Sequence, residues 1–144
     1  MLIGEYTHTL DAKKRLSLPS KFRKEMGKKV VIAAGLDQCL SVYSLKEWER
    51  FSSRIAELSL GTSDSRDFNR YMLASASESD VDAAGRILIP EHLKRAAGLQ
   101  SKVVVTGVYN RAEVWDARKW DTYKKRVEKK ADMLAEKLGE MGMI

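Results

Sequence analysis

The clearest chemistry in this sequence lies in two short stretches of the same type. They read Asp-Ala-Lys-Lys-Arg at residues 11–15 and Asp-Ala-Ala-Gly-Arg at residues 82–86. An aspartate in a turn accepts hydrogen bonds from the backbone that follows it. An arginine presents a planar fork of N–H donors that fits a phosphate or the edge of a guanine. The pattern predicts two turns, each presenting an arginine suited to nucleic acid.

Further basic side chains follow both arginines. They are Lys21, Arg23 and Lys24 after the first stretch and His92, Lys94 and Arg95 after the second. A turn-stabilising role explains the two aspartates but not this surplus of positive charge, and the net charge of +6 also favours an anionic partner. The candidate DNA-binding residues are therefore Asp11, Lys13, Lys14, Arg15, Asp82 and Arg86.

Residues that could support catalysis are few. The chain has two histidines and one cysteine, Cys39, and it contains no zinc-hydrolase, nucleophile-elbow or phosphate-loop motif. Hard cations need several oxygen ligands, and the arginine after Asp11 or Asp82 would repel a cation. We expect no enzyme activity, no catalytic residue, no cofactor and no metal.

Composition indicates a protein of the reducing cytosol. A single cysteine excludes a disulfide within the chain. No apolar stretch approaches the roughly 20 residues of a membrane span, and the N-terminal segment lacks the layout of a signal peptide. We expect a cytoplasmic, nucleoid-associated protein without a membrane partner.

The two loops belong to a tandem repeat of a unit of roughly 50 residues. When the halves are aligned with an offset of 71, Pro19 matches Pro90 and Gly27 matches Gly98. After one inserted residue the offset is 72, and Gly35 matches Gly107 and Trp48 matches Trp120. We predict a first unit over 1–52, a helical bridge over 53–75, a second unit over 76–124 and a C-terminal helix over 125–144.

Each unit has the same predicted order of elements. An alternating stretch leads into the Asp-to-Arg loop, and a short strand then ends in proline. A short helix ending in glycine, a hairpin and an amphipathic helix follow. Because one unit is too small to bury a sufficient core, we expect the two to pack about a pseudo-two-fold axis into one β-barrel-like body of the α+β class. That axis would bring both basic clusters to one face.

Longer stretches around the loops resemble the MraZ family of bacterial regulators associated with the division and cell-wall gene cluster. They are MLIGEYTHTLDAKKRLSLPSKFR, ASASESDVDAAGRILIPEHLKRAAGL and VVVTGVYNRAEVWDARKW. The repeated Asp-x-x-x-Arg motif is that family's hallmark. The resemblance implies two fused AbrB/SpoVT-like units that form a tandem-duplicated, swapped-hairpin (double-split) β-barrel with flanking helices.

The resemblance also implies a function. It points to a ring-shaped homo-oligomer that binds double-stranded DNA at direct repeats in the promoter of its own gene cluster, usually as a repressor. Arg15 and Arg86 match the motif arginines and would contact DNA. An alternative is an antitoxin-like or scaffolding protein-binding module of AbrB fold, although the C-terminal segment is patterned as a helix rather than as a flexible tail.

One position departs from the family pattern. Lys14 stands where the family commonly has glycine before the arginine, whereas the second loop keeps Gly85. Lysine tolerates a positive φ poorly. We therefore expect the two loops to differ in backbone conformation.

Overall fold

Strands and helices follow one another in an order that repeats once along the chain. The computed structural model describes all 144 residues. The first half contains β1 (Leu2–Thr9), β2 (Arg15–Ser17), α1 (Ser20–Met26), β3 (Lys29–Ala34), β4 (Leu40–Ser44) and α2 (Leu45–Ala56), and α3 (Ser63–Ala74) leads to the second half. There follow β5 (Ser77–Asp80), β6 (Arg86–Leu88), α4 (Glu91–Ala96), β7 (Lys102–Tyr109), β8 (Ala112–Asp116), α5 (Ala117–Glu128) and α6 (Ala131–Glu140).

Six strands form one antiparallel sheet in the order β1-β7-β8-β4-β3-β5. The two halves alternate in it, because β1 pairs with β7, β4 with β8 and β3 with β5. The predicted α+β class is confirmed. The sheet does not close into the predicted barrel: β1 and β5 are its two edges, and the remaining strands β2 and β6 pair with each other in a separate ribbon.

The β2–β6 ribbon shows the pseudo-two-fold relation most directly. Its register pairs Arg15 with Leu88, Leu16 with Ile87 and Ser17 with Arg86. Leu16 and Ile87 are equivalent positions of the two halves, so the axis passes between them. Side chains alternate across a strand, and these two are buried. Their neighbours on both strands therefore point to the opposite, outer face.

One hydrophobic core serves both halves. Leu16, Leu18, Ile87 and Ile89 from the ribbon region belong to the same buried cluster as the inward side chains of the sheet, among them Val30, Ile32, Val103 and Val105. Burial of apolar surface is the main force that favours folding. Because each half contributes to one shared core, the ribbon is held against the sheet by side chains from both halves.

Matching aromatic groups hold α2 and α5 against the sheet. Tyr43, Trp48 and Phe51 pack together in the first half, and Trp115, Trp120 and Tyr123 pack together in the second. Ser44 and Asp116 cap the two helices by accepting from a backbone N–H in the first turn. Both halves therefore end in the same helix-on-sheet contact.

The C-terminal segment differs from its predicted form. The structure has two helices where one was expected over 125–144, since α5 ends at Glu128 and α6 begins at Ala131. No residue of α6 is buried. The bridge helix α3 is capped by Thr62, whose side chain accepts from the backbone N–H of Ser65. No helix in the chain is both long and apolar enough to cross a membrane.

Candidate nucleic-acid interface

The first loop is organised around the carboxylate of Asp11. Its Oδ1 atom accepts hydrogen bonds from the backbone N–H groups of Lys13 at 2.9 Å and Arg15 at 2.8 Å. Its Oδ2 atom accepts from the Nε atom of Arg15 at 2.9 Å. The same side chain therefore fixes both the turn and the direction of the arginine that follows it.

The second loop has the same geometry. Oδ1 of Asp82 accepts from the backbone N–H groups of Ala84 and Arg86, each at 2.9 Å. Oδ2 accepts from the Nε atom of Arg86, also at 2.9 Å. The repeated spacing of four residues is thus the spacing that lets one carboxylate hold its arginine.

The two loops share one backbone conformation, so the prediction of different conformations is wrong. Lys14 has φ 62° and Gly85 has φ 78°. The carbonyl oxygen of Lys14 accepts from the N–H of Ile89 at 2.8 Å, and that of Gly85 accepts from the N–H of Leu18 at 2.9 Å. These bonds, with those to the aspartate, outweigh the local preference of lysine for negative φ.

Hydrogen bonds lower the pKa of both aspartates. For Asp11 the largest cause is the bond from the backbone N–H of Arg15, and the guanidinium bond adds to it. For Asp82 the backbone N–H and the guanidinium of Arg86 act in the same way. Because both pKa values lie below the ordinary value of 3.8, both carboxylates are ionised at neutral pH.

Arg15 and Arg86 lie on the same outer face of the ribbon. Opposite them across the strands are Leu88 and Ser17, which share that face. The strand rise separates the two arginine Cα atoms by roughly 7 Å along the ribbon. Each arginine side chain is about one-third exposed, and only its Nε atom has a partner within the chain. The terminal N–H groups of both arginines are available to a ligand.

The remaining candidates are placed differently. Lys13 is exposed, and its side chain has no partner in the chain. The Nζ atom of Lys14 forms an ion pair with Oε2 of Glu91 at 2.6 Å. The Nε2 atom of His92 lies 2.9 Å from the carbonyl oxygen of Ser75, just after α3. Lys13 is therefore open to a ligand, while Lys14 is partly neutralised.

The sequence analysis assigned no individual role to two further residues near the loops, Arg23 and Glu91. Arg23 of α1 lies against Gly85, since a Cβ built on that glycine would be 2.2 Å from Cζ of the arginine. Glu91 of α4 reaches the other loop through Lys14. Each loop is thus flanked by the short helix of the opposite half. The only signal for this in the sequence was the repeat itself, which predicted that the halves pack together.

No alternative chemical centre is assembled elsewhere. The structure contains no group of three or more His, Cys, Asp or Glu side chains arranged to hold a metal ion. Burial raises the pKa of the Cys39 thiol to about 12, which leaves it protonated. Burial, with the charge of Arg23, lowers the pKa of His8. These two residues form no nucleophile–base pair.

Comparison with known proteins supports the pattern of two similar halves. A family model described as "MraZ protein, putative antitoxin-like" matches residues 1–71 and again residues 72–138. The chain belongs to the MraZ family. The two matches divide the chain close to the end of α3, so each MraZ match contains one arginine loop.

Full-length MraZ relatives are similar over the whole chain. "Transcriptional regulator MraZ" of Acetivibrio thermocellus is 43% identical over 143 residues, covering 99% of this chain and 100% of its own. The protein of the same name from Caldanaerobacter subterraneus subsp. tengcongensis is 44% identical over 138 residues, covering 96% of each chain. The MraZ family is one of transcriptional regulators and not of enzymes, as the sequence predicted.

The solution structure of PHS018 from Pyrococcus horikoshii covers 79% of this chain and 88% of its own, with 12% identity and a TM-score of 0.33. A likeness this weak carries no argument about the MraZ fold.

Proposed function

We propose that this protein is a sequence-specific DNA-binding transcriptional regulator, acting as a repressor on the promoter of its own division and cell-wall gene cluster. The observation that carries the proposal is the outer face of the β2–β6 ribbon. There Arg15 and Arg86 each have the Nε atom bound to an aspartate and the terminal N–H groups free. Arginines held in this way are suited to a phosphate oxygen or a guanine edge.

The aspartates contribute by orienting the arginines. Asp11 and Asp82 are ionised and bound to the backbone of their own loops, so each offers the neighbouring guanidinium a fixed partner. A pre-oriented side chain loses less conformational freedom on binding. Lys13 adds an unpaired positive charge beside the first loop. Together these residues present oriented cationic N–H donors to double-stranded DNA.

The assembly and the operator belong to the same proposal. Direct repeats require successive readers that face the same way, whereas a two-fold dimer matches inverted half-sites. A ring of chains joined head to tail satisfies that requirement through heterologous interfaces. We infer a ring-shaped homo-oligomer of tandem AbrB/SpoVT-like units, at 1–52 and 76–124, that is cytoplasmic and associated with the nucleoid.

A protein-binding role is the second candidate. The family description contains the words "antitoxin-like", and α6 exposes apolar side chains, among them Met133 and Leu138. An antitoxin-like or scaffolding module would use such a surface for a protein partner. DNA binding through phosphates weakens steeply with salt, with a log–log slope of about −0.9 per contact. A protein contact through α6 would not show that slope.

The test is a titration of the protein with a labelled duplex from the promoter upstream of its own gene. Wild type is compared with Arg15→Ala, Arg86→Ala and the double variant, each checked for assembly by gel filtration. We expect each single variant to weaken binding at least tenfold, as for loss of a charge-assisted contact, and the double variant to abolish it. If the double variant assembles and still binds DNA normally, the ribbon face is not the DNA-binding surface.

A further inference from the structure

The two arginine loops have the same internal geometry but different surroundings. Around the loops, equivalent positions are separated by 71 residues, and several of these pairs differ in residue type. Arg23 of α1 corresponds to Lys94, and Glu91 of α4 corresponds to Ser20. The pseudo-two-fold axis places α1 beside the Arg86 loop and α4 beside the Arg15 loop. The asymmetry therefore falls on the proposed DNA face.

Beside the Arg86 loop, Arg23 is positioned and unpaired. Its Nε atom donates to the carbonyl oxygen of Leu18 at 3.1 Å, and its guanidinium covers Gly85, where any side chain would collide with it. The residue is exposed, and no carboxylate in the chain forms an ion pair with it. Arg23 therefore presents terminal N–H groups beside the loop that carries Arg86.

Beside the Arg15 loop, two of the basic side chains have an acidic neighbour. Glu91 pairs with Lys14 at 2.6 Å and approaches Nε of Arg95 at 3.9 Å. The ribbon repeats this bias, because Arg15 has the exposed Leu88 opposite it while Arg86 has Ser17. A hydroxyl can donate to a phosphate oxygen, whereas leucine cannot. Both differences weaken anion binding around Arg15, where Lys13 keeps an exposed, unpaired charge.

We propose that the two ends of the arginine face bind DNA through different side chains: Arg23 is a third DNA-contacting arginine at the Arg86 end, whereas at the Arg15 end Lys13 is free and Glu91 restrains Lys14. This inference rests on the proposed DNA-binding function. It gives a single chain two chemically distinct ends despite its internal repeat. A chain with two equal ends would bind a duplex in either direction, so the bias supplies a direction on DNA.

The first test compares Arg23→Gln with Lys94→Gln, which changes the charge equally at the equivalent position. Affinity for the promoter duplex is measured from about 0.05 to 0.3 M salt, with folding checked by circular dichroism. We expect Arg23→Gln to weaken binding about tenfold and to reduce the magnitude of the salt slope by about 0.9 per chain in contact. Lys94→Gln should change affinity about twofold or less. Equal effects of the two variants would overturn the proposal.

The second test examines Glu91. Glu91→Gln releases Lys14 and should strengthen binding about threefold, whereas Glu136→Gln on α6, with the same charge change, should leave affinity unchanged. An effect no larger than that of Glu136→Gln would overturn the restraining role. If Arg15→Ala and Arg86→Ala weaken binding but Arg23→Gln does not, only this inference fails. If wild type does not bind the promoter, the proposed function itself fails.

Discussion

At the scale of single residues, Asp11 and Asp82 should make the free energy of unfolding depend on pH in the acid range. Each aspartate has a pKa below 3.8 in the folded chain, chiefly through backbone hydrogen bonds from its own loop. As pH falls, the two aspartates therefore bind protons more readily in the unfolded chain than in the folded chain. The free energy of unfolding falls as a result. The contribution is complete above about pH 5 and is lost as pH falls through the lowered folded values.

The measurement is the urea midpoint between about pH 2.5 and 6 for wild type and for the Asp11→Asn and Asp82→Asn double variant. We expect the midpoint of wild type to fall at the acid end and that of the double variant to change less over the same range. Asp64→Asn is a control, because it alters an exposed aspartate on α3. Parallel curves for wild type and the double variant would contradict the assignment.

Lys14 is a residue whose replacement should stabilise the protein. It holds φ 62°, and a left-handed conformation costs a residue with a Cβ about 1 to 2 kcal/mol. Its ion pair with Glu91 is exposed on both sides and is worth about 0 to 1 kcal/mol. We expect Lys14→Gly to raise the free energy of unfolding by about 0.5 to 1 kcal/mol.

Lys13→Gly is the matched control, since Lys13 is not in the left-handed region. There the added backbone freedom should lower the free energy of unfolding by about 0.5 to 1 kcal/mol. Chemical denaturation of both variants and wild type gives the comparison. A decrease of the same size for both variants would show that the conformation of Lys14 is not strained.

At the scale of elements, the ribbon depends on the two side chains at its centre. Leu16 is fully buried in the shared core, so Leu16→Ala should lower the free energy of unfolding by about 2 to 5 kcal/mol. Leu88 lies on the same ribbon but is 54% exposed on the outer face, and Leu88→Ala should change it by less than about 0.5 kcal/mol. Similar losses for both variants, measured by urea denaturation, would contradict the assigned inner and outer faces.

The sequence predicted the elements of the site better than their surroundings. The Asp-to-Arg spacing within each loop is a local pattern, so it predicted a turn that the structure contains. The conformation of Lys14 was not predicted, because it depends on the N–H of Ile89 from the other half. The partner of Lys14 on α4 has the same origin. Both the conformation of Lys14 and its ion pair depend on contacts between the halves. Residue propensities within one segment give no information about such contacts.

Local periodicity was also a poor guide to where elements end. Leu134 and Leu138 continue the helical spacing of Trp120, and one long helix was therefore expected. The structure ends α5 at Glu128, and no residue of α6 packs into the core. The prediction of a closed barrel was wrong for a related reason. The repeat predicted that the halves pair, but it contained no information on whether the two edge strands meet. Closure depends on sheet curvature, which residue types alone do not specify.

At the scale of the whole molecule, the exchange of strands should make folding a single event. Four strand pairs join the two halves: β1–β7, β2–β6, β3–β5 and β4–β8. Only β3–β4 and β7–β8 lie within one half. The core is likewise shared. Neither half retains its sheet or its core alone, so we expect both to unfold together in one two-state transition.

The three tryptophans allow the halves to be observed separately. Trp48 lies in the first half, and Trp115 and Trp120 lie in the second. Trp48→Phe leaves reporters in the second half only, and the Trp115→Phe, Trp120→Phe double variant leaves one in the first. Because substitutions also shift stability, each fluorescence transition in urea is compared with far-ultraviolet circular dichroism of the same variant.

We expect the fluorescence and circular dichroism midpoints to coincide within each of these variants, because no half keeps its structure after the other has unfolded. A fragment of residues 1–60 should accordingly be unfolded alone and regain strand structure when mixed with residues 61–144. Separate midpoints in either variant, or a folded 1–60 fragment, would mean that the halves are independent domains. The ribbon could then lose its pairing while each half stayed folded, and the two arginines would no longer share a rigid face.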